Sequence, residues 1–428
     1  MGIKGFLKIL IGVTLFMATA TLTAQAEYLD LPPIPNATRS APTQCLIPDD
    51  PRNENIDVNG LIAGIDKKMH RHSKFKGVVL VAHGSTVLFE KGYGKITYAK
   101  DQPPVSFDGN TRVLLASMTK QFTAALVLKE IEKNQMNLSD SIRRYIPEGP
   151  QSWEPVTIAQ LLTHTSGFKT DYIDRPAAVS TNSQDDILAY ILKKMKPSKP
   201  VVPSRSQRHR RQQTGDDPQY KYNNVNYFLL GIALERINPG KHLEDLVKEE
   251  ITDPLCMTRS GVISPTSERA NGRKYNSDLM PQGNNPASYF AVVNMYSSAD
   301  DLNKWIWALL EKQIVLSPEM VREMTTAQPH TLYKGSYYGY GFHISSAWGS
   351  PLLWHTGHLI DHTTLIRHFM GSHVTLILLT NKNESKSHPW IAPLAQEIMN
   401  VVFTYVPRES QEEVITASTV GQNNQGRR

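Results

Sequence analysis

The sequence predicts an α/β fold of the α+β type: an antiparallel sheet flanked by helices, with a mostly helical lobe inserted between its strands. Three observations predict it. Short, β-branched apolar runs gather at the two ends of the chain, GVVLVAH near residue 80 and TTLIRHF and HVTLILLTN near residues 363–381. Segments of helical period fill the region between them. No internal repeat appears, so the distant strands belong to one sheet rather than to separate modules.

Taken in order, residues 1–26 read as a secretory signal. Lys4 and Lys8 precede an apolar stretch from Ile9 to Leu22, and Ala24-Gln25-Ala26 closes it as a small-residue cleavage site. That stretch is shorter than the roughly 20 residues a spanning helix needs. The expectation is therefore cleavage, no membrane span in the mature chain, and a periplasmic or secreted location. Residues 27–57 are proline-rich and read as extended. A helix is expected from Asn59 to Arg71, then two strands around the turn at His83-Gly84. Helical periods recur after Ser117, in TIAQLLTHTSG, DDILAYILKKM, NYFLLGIALERI, HLEDLVKEEI and ADDLNKWIWALLEKQ. Strands return in YGYGFHISSAW, TTLIRHF and HVTLILLTN, and a helix around IAPLAQEIMNVVF closes the domain. The domain is thus expected over 58–405, with a sheet lobe (58–115 and 325–405), a helical lobe (116–324) and a disordered tail from 406. A site between the lobes is expected.

Charge excludes some functions. The net charge of +6 includes the two signal lysines, which is too modest a surplus for a nucleic-acid binder. Much of it is local, since residues 193–217 carry eight Lys or Arg with three prolines and little apolar period, which reads as a solvated excursion. The two cysteines, Cys45 and Cys256, are able to pair in an oxidising compartment, but the sequence equally permits two separate thiols.

Two Ser-x-x-Lys pairs occur. Ser73 and Lys76 lead into a strand, where residues three apart face opposite ways. Ser117 and Lys120 open a helix, where such residues share a face and the serine N–H is among the unpaired donors of the first turn. Only the second pair can place an amine against a hydroxyl.

Downstream stand Tyr222-Asn223-Asn224, just before a helix, and His355-Thr356-Gly357. These three short motifs, in this order, resemble those of the serine β-lactamase and penicillin-binding protein superfamily, most nearly the branch of class C β-lactamases, D-alanyl-D-alanine carboxypeptidases and esterases. LLTHTSG, PLCMTRSGV, MYSSADDL, YGYGF and LLTN resemble further landmarks of that family, so the likeness runs from about Asn59 to Tyr405. It implies a β-lactamase/transpeptidase-like fold and a serine hydrolase that needs no cofactor, acting on a small-molecule or peptide acyl substrate such as cell-wall peptide. A serine hydroxyl needs a base within reach, and Lys120 and Tyr222 are expected to share that work, the ammonium lowering the tyrosine pKa. Asn224 is expected to orient Lys120 and to hold a substrate amide. His355, Thr356 and Gly357 are expected to line the substrate groove. The resemblance also implies an oxyanion hole made by the N–H groups of Ser117 and His358. His164 lies in LLTHTSG, but Thr157, just upstream, is expected to cap a short helix that Gly167 ends, leaving His164 structural.

His355 stands where class C β-lactamases usually carry lysine, and His358 and Asp361 stand where small residues are common. Those departures favour small esters or D-peptides over β-lactams. They also raise two other readings: a catalytically weak cell-wall-binding or scaffold protein of the same fold, and a metal-dependent hydrolase built on His355, His358, Asp361 and His362, although the spacing does not match the usual H-x-H-x-D-H pattern.

Overall fold

The structure, a computed structural model, describes residues 56–97, 103–172, 183–198, 219–263, 290–359, 362–382 and 390–407. All of them fall in one compact unit, Ser40–Arg428. The expected signal, the proline-rich segment up to residue 55, most of the basic excursion, Asp361 and the tail beyond 407 lie outside the described residues.

The main sheet contains β1 (Gly77–His83), β2 (Thr86–Tyr93), β8 (Tyr337–Tyr338), β9 (His343–Ala347), β10 (Ser350–Leu359), β11 (His362–Phe369) and β12 (Val374–Thr380). Its order is β2-β1-β12-β11-β10-β9-β8, every neighbouring pair antiparallel. Between β2 and β8 lie β3 (Lys95–Ile96) with β4 (Val105–Ser106), and a small sheet of β5 (Val113–Leu114), β6 (Gly261–Val262) and β7 (Met295–Ser297). Near-continuous apolar strands are buried on both faces because each face has its own cover. Val79 and Val81 of β1, with Leu376 and Leu378 of β12, pack under helices α1 (Val58–Arg71) and α9 (Ile391–Tyr405). The alternate residues Val78, Leu80, Ile377 and Leu379 join the core shared with the central helices.

Those helices begin with α2 (Thr119–Glu132), which is buried on nearly every side. They continue with α3 (Ile158–Leu162), α4 (Gln184–Lys194), α5 (Asn224–Ile237), α6 (Leu243–Val247), α7 (Ala299–Ile306) and α8 (Pro318–Thr325). The expected elements are present, with three differences. SPLLWHTGHL forms the ten-residue strand β10, which alternation alone did not reveal because both of its faces are partly covered. YGYGFHISSAW is broken at Gly339–Phe342: a Cβ on Gly341, which sits at φ 82°, would press on Gln121 Cα at 2.8 Å and the Lys120 carbonyl at 2.9 Å. Thr157 does cap α3 through a capping box, but the helix ends at Leu162, and His164 adopts the left-handed conformation at φ 59° before Gly167 does at φ 83°.

Cys256 is buried and disulfide-bonded, while Cys45 lies outside the described residues.

Candidate active site

Ser117 lies in a single tight turn, Ala116–Met118, between β5 and α2. The turn is strained, with Ala116 at φ 49°, a conformation that costs a non-glycine residue about 1–3 kcal/mol. Its surroundings hold it there. The Leu115 N–H donates to Met295 O (2.8 Å), Thr364 Oγ1 donates to Leu115 O (2.9 Å), and Thr119 Oγ1 accepts from Met295 N (3.1 Å). Gly357 of β10 passes directly under the turn. A Cβ there would overlap the Leu115 carbonyl and Thr364 Oγ1 and press on Ala116 Cβ at 3.0 Å, so the glycine is what lets the strand approach the serine. The pairing of β10 with β9 ends at Trp354, while His355–Leu359 stay paired with β11 and run beside the turn.

Lys120 is fully buried, and its Nζ donates to Ser117 Oγ (3.2 Å) and to Val292 O (3.3 Å). Burial lowers its pKa to about 7, opposed by the charge of Asp171. Nζ also lies 4.9 Å from the centre of the Tyr222 ring. The Tyr222 ring is partly exposed, but its hydroxyl is buried and makes no hydrogen bond of good geometry among the described residues. Burial raises its pKa, and the nearby Ser117 hydroxyl offsets only part of this. The expected phenolate is therefore corrected: a lysine that has itself been pushed toward neutrality does not supply the charge that would hold a phenolate, and Tyr222 keeps its proton.

Asn223 and Asn224 begin α5. Asn223 caps the helix by accepting from Val225 N (2.9 Å), and its Nδ2 donates to Phe168 O (3.0 Å) and Thr170 O (3.1 Å), which ties the tyrosine segment to the loop after α3. This explains an asparagine where the family commonly has a small residue. Asn224 does not hold Lys120. Its N and Nδ2 both donate to Asp171 Oδ2 (2.8 Å each), and its Oδ1 is left buried without a hydrogen-bond partner among the described residues.

His355 is buried and engaged at both nitrogens: Nδ1 is 2.7 Å from Thr356 O and Nε2 is 3.1 Å from the Tyr338 hydroxyl. A carbonyl only accepts, so Nδ1 carries the proton and Nε2 accepts from Tyr338. Burial holds His355 well below the usual histidine range, and neighbouring His343 and Lys120 add to the effect. Thr356 is half-buried, Gly357 is buried, and His358 is exposed. His355 and His358, three apart on one strand, face opposite ways, so the metal reading fails on geometry. Among the described residues no three His, Cys, Asp or Glu side chains are grouped to hold a metal.

One residue named in the sequence and one that it missed stand behind the site. His164, expected to be structural, supports it: its Nδ1 accepts from Asn223 N (3.2 Å) and faces Asn226 Nδ2 (3.0 Å), and its ring lies 4.2 Å from that of Tyr222 and 4.9 Å from that of Tyr338. With Nδ1 accepting, the proton sits on Nε2, and burial keeps the ring neutral. Asp171 is the one that was missed, a carboxylate 53 residues from Asn224 in the chain that no local pattern ties to it.

A family model described as Beta-lactamase matches residues 62–398. The chain belongs to the beta-lactamase family. That places it in the serine β-lactamase and penicillin-binding protein superfamily. Relatives within it include Protein flp of Staphylococcus aureus (strain MRSA252), 23% identical over 75% of this chain and 62% of that protein. Another is the teichoic acid D-alanine hydrolase of the same strain, 27% identical over 65% of each chain. The chain thus spans under two thirds of the length of these relatives. Among solved structures, the D-amino acid amidase from Ochrobactrum anthropi SV3 matches with a TM-score of 0.63 at 20% identity, covering 81% of this chain and 99% of that one. The beta-lactamase fold accounts for the run of β10 at His355–Leu359 beside a helix start.

Proposed function

We propose that this chain is an exported serine hydrolase that forms an acyl-enzyme on Ser117 and cleaves esters and D-amino-acid amides or peptides, with β-lactams as poorer substrates. The observation that carries it is Lys120 Nζ, fully buried, 3.2 Å from Ser117 Oγ and with its pKa lowered to about 7. A neutral amine at that distance is a base for the serine proton. As Ser117 Oγ bonds to the substrate carbonyl carbon, its proton passes to Lys120. The N–H groups of Ser117 and His358 receive the developing oxyanion. The bond to the leaving group then breaks, the leaving group takes the Tyr222 proton, and Tyr222 is reprotonated from Lys120. Water attacks the acyl-enzyme by the same route in reverse, releasing the acid and returning the proton to Ser117. Two of the relatives carry D-amino-acid chemistry in their names, which supports that substrate class over β-lactams. His355, Thr356 and Gly357 form the wall of the groove on the β10 side, and export places the reaction in the periplasm or outside the cell.

The test is peptide mapping after incubation with a labelled penicillin and with a panel of activated D-aminoacyl and simple esters. One adduct on Ser117, absent in Ser117→Ala and unaffected by Ser73→Ala, is expected. A label elsewhere, or none with any donor, overturns the proposal.

A further inference from the structure

We infer that His164 is the positioning residue for Tyr222: it holds the phenol where its proton reaches the leaving group, and so decides whether esters and amides with poor leaving groups are cleaved. The inference rests on the serine-hydrolase reading and names the substrates that its proton step makes possible.

His164 grips Tyr222 on three sides. Its carbonyl accepts from Lys221 N at 2.9 Å and its Nδ1 accepts from Asn223 N at 3.2 Å, so the residues immediately before and after the tyrosine are both bonded to it. Its ring centre lies 4.2 Å from that of Tyr222, the two planes inclined by 36°. Asn226 Nδ2 stands 3.0 Å from the same Nδ1, and Ser166 Oγ donates to Asn226 Oδ1 at 2.6 Å, which turns the NH2 of that amide toward the histidine. Two donors thus hold Nδ1 as an acceptor, and the ring stays neutral.

Neither capping nor packing accounts for a histidine here. His164 stands two residues past the end of α3 at φ 59°, the left-handed position that closes a helix, which glycine or asparagine takes with less strain. Packing among Tyr222, Tyr227 and Tyr338, whose ring centres lie 4.2, 5.2 and 4.9 Å away, would be served as well by phenylalanine, which buries no polar atom. The histidine keeps Nε2 buried with no hydrogen-bond partner among the described residues, an arrangement that costs stability. Glycine and asparagine lack the ring, and phenylalanine lacks the acceptor. Only a ring that carries an acceptor reaches the Tyr222 ring and the N–H after it together.

The phenol needs such a hold. Its hydroxyl is buried and makes no hydrogen bond of good geometry among the described residues, so the ring and the backbone set its aim. When the bond between the acyl carbon and the leaving group breaks, the electron pair stays on the departing oxygen or nitrogen. That atom takes the Tyr222 proton, and Tyr222 regains one from Lys120, which holds the proton given up by Ser117. A nitrophenolate departs without a proton, whereas an alkoxide or an amide nitrogen does not. Displacing the phenol by about 1 Å should cost on the order of 10²-fold in rate for the second kind of substrate and little for the first.

The experiment compares kcat/KM for methyl butyrate and 4-nitrophenyl butyrate, which share an acyl group, in wild type, His164→Phe, His164→Asn, Tyr222→Phe and the double variant His164→Phe/Tyr222→Phe. Taking the methyl-to-nitrophenyl ratio within each variant cancels folding yield and any general loosening of the site. Tyr222→Phe should lower the ratio by about 10²- to 10⁴-fold, the worth of a general acid. His164→Phe, which keeps a ring but no acceptor, should lower it about 10- to 100-fold, and His164→Asn, which keeps an acceptor and suits the left-handed backbone, by less. The double variant should match Tyr222→Phe alone, because the histidine acts only through the tyrosine. A His164→Phe ratio equal to that of wild type, or a double variant in which the two losses add, overturns the inference; if His164→Phe does not fold, an unchanged ratio in His164→Asn does the same. A wild type that cleaves only the nitrophenyl ester also overturns it. A ratio that falls in Tyr222→Phe but stays at the wild-type value in both histidine variants sinks this inference and leaves the serine mechanism standing; no acyl group on Ser117 from either ester sinks the mechanism itself.

Discussion

The Tyr338 hydroxyl donates to His355 Nε2 at 3.1 Å, and both side chains are buried. The histidine of the third motif is therefore not a cation held out to a substrate carboxylate; it is a neutral acceptor built into the floor of the site. Removing the donor by Tyr338→Phe should cost about 1–3 kcal/mol, the penalty of an unsatisfied buried acceptor. Urea denaturation with an unchanged slope would read that loss, and an unchanged midpoint would show that the bond contributes nothing.

The same contact revises what a lysine at this position would do. From the sequence, His355→Lys promises a gain in β-lactam reactivity through a fixed charge. Placed among His164, His343 and Tyr338, the new amine meets the burial that already lowers Lys120 to about 7. It should lose much of its charge, leave Tyr338 without its acceptor and lower the melting temperature. Penicillin acylation rates of His355→Lys should stay within about tenfold of wild type, a barrier change of about 1.4 kcal/mol. A rise of a hundredfold would show that the lysine reaches the substrate charged.

Lys120 sets the pH dependence. If its neutral amine is the base, kcat/KM for a neutral ester should rise with pH and level off above an apparent pKa near 7. Lys120→Arg, which cannot give up its proton at these pH values, should lower the rate about 10²- to 10⁴-fold across the range. Stability should shift in the same direction. With the folded pKa below the unfolded one, the unfolded chain binds more protons between about pH 7 and 10.4, so this residue's contribution improves as pH rises through that window. A flat rate profile from pH 5 to 9 would remove Lys120 from the base role.

How much of this was legible in the sequence depends on how local the signal is. Ser117 and Lys120 sit three apart on one helix, so their contact follows from helical geometry, and the strands near residues 80 and 375 announce themselves by β-branched runs. Strand β10 was harder, because its buried and half-buried residues do not alternate cleanly and His355-Thr356-Gly357 breaks the apolar pattern. The contacts of Asp171 and His164 were illegible for a different reason. Each meets the tyrosine motif only after the loop following α3 folds back onto the start of α5, across 53 and 59 residues, and no periodicity encodes that. The protonation of Tyr222 was misread because its pKa is set by burial, which a motif does not display.

Gly357 offers a test of the approach of β10 to the nucleophile. Gly357→Ala would force a methyl group into the Leu115 carbonyl and Thr364 Oγ1, and neither partner can yield easily, since Thr364 Oγ1 is itself bonded to Leu115 O at 2.9 Å. The cost should be about 1–3 kcal/mol, and acylation of Ser117 should fall with it because the displaced group is the turn that carries the serine. Wild-type acylation by the alanine variant would mean that the close approach is incidental.

The last prediction lies away from Ser117. Glu311 is nearly buried, with one carboxylate oxygen 2.9 Å from His368 Nε2 and the other 2.7 Å from His373 Nδ1. Burial by itself would raise its pKa, but the two histidines outweigh that and hold it well below the usual carboxylate range. A carboxylate with a depressed folded pKa adds stability that is fully present above its unfolded value, about 4.3, and is lost as pH falls below it. His373 sits at φ 51° in the turn between β11 and β12, and its carbonyl accepts from Gly84 N at 2.8 Å, so the cluster joins the end of two central strands to the turn after β1. Glu311→Gln should therefore lower stability at pH 7 by about 1–3 kcal/mol, the scale of weakening buried hydrogen bonds to a charged group, and should flatten the acid limb of the stability profile between pH 5 and 3. Melting curves across that range decide it: a variant that loses stability at pH 7 yet keeps the wild-type acid slope would show that other carboxylates carry the acid response.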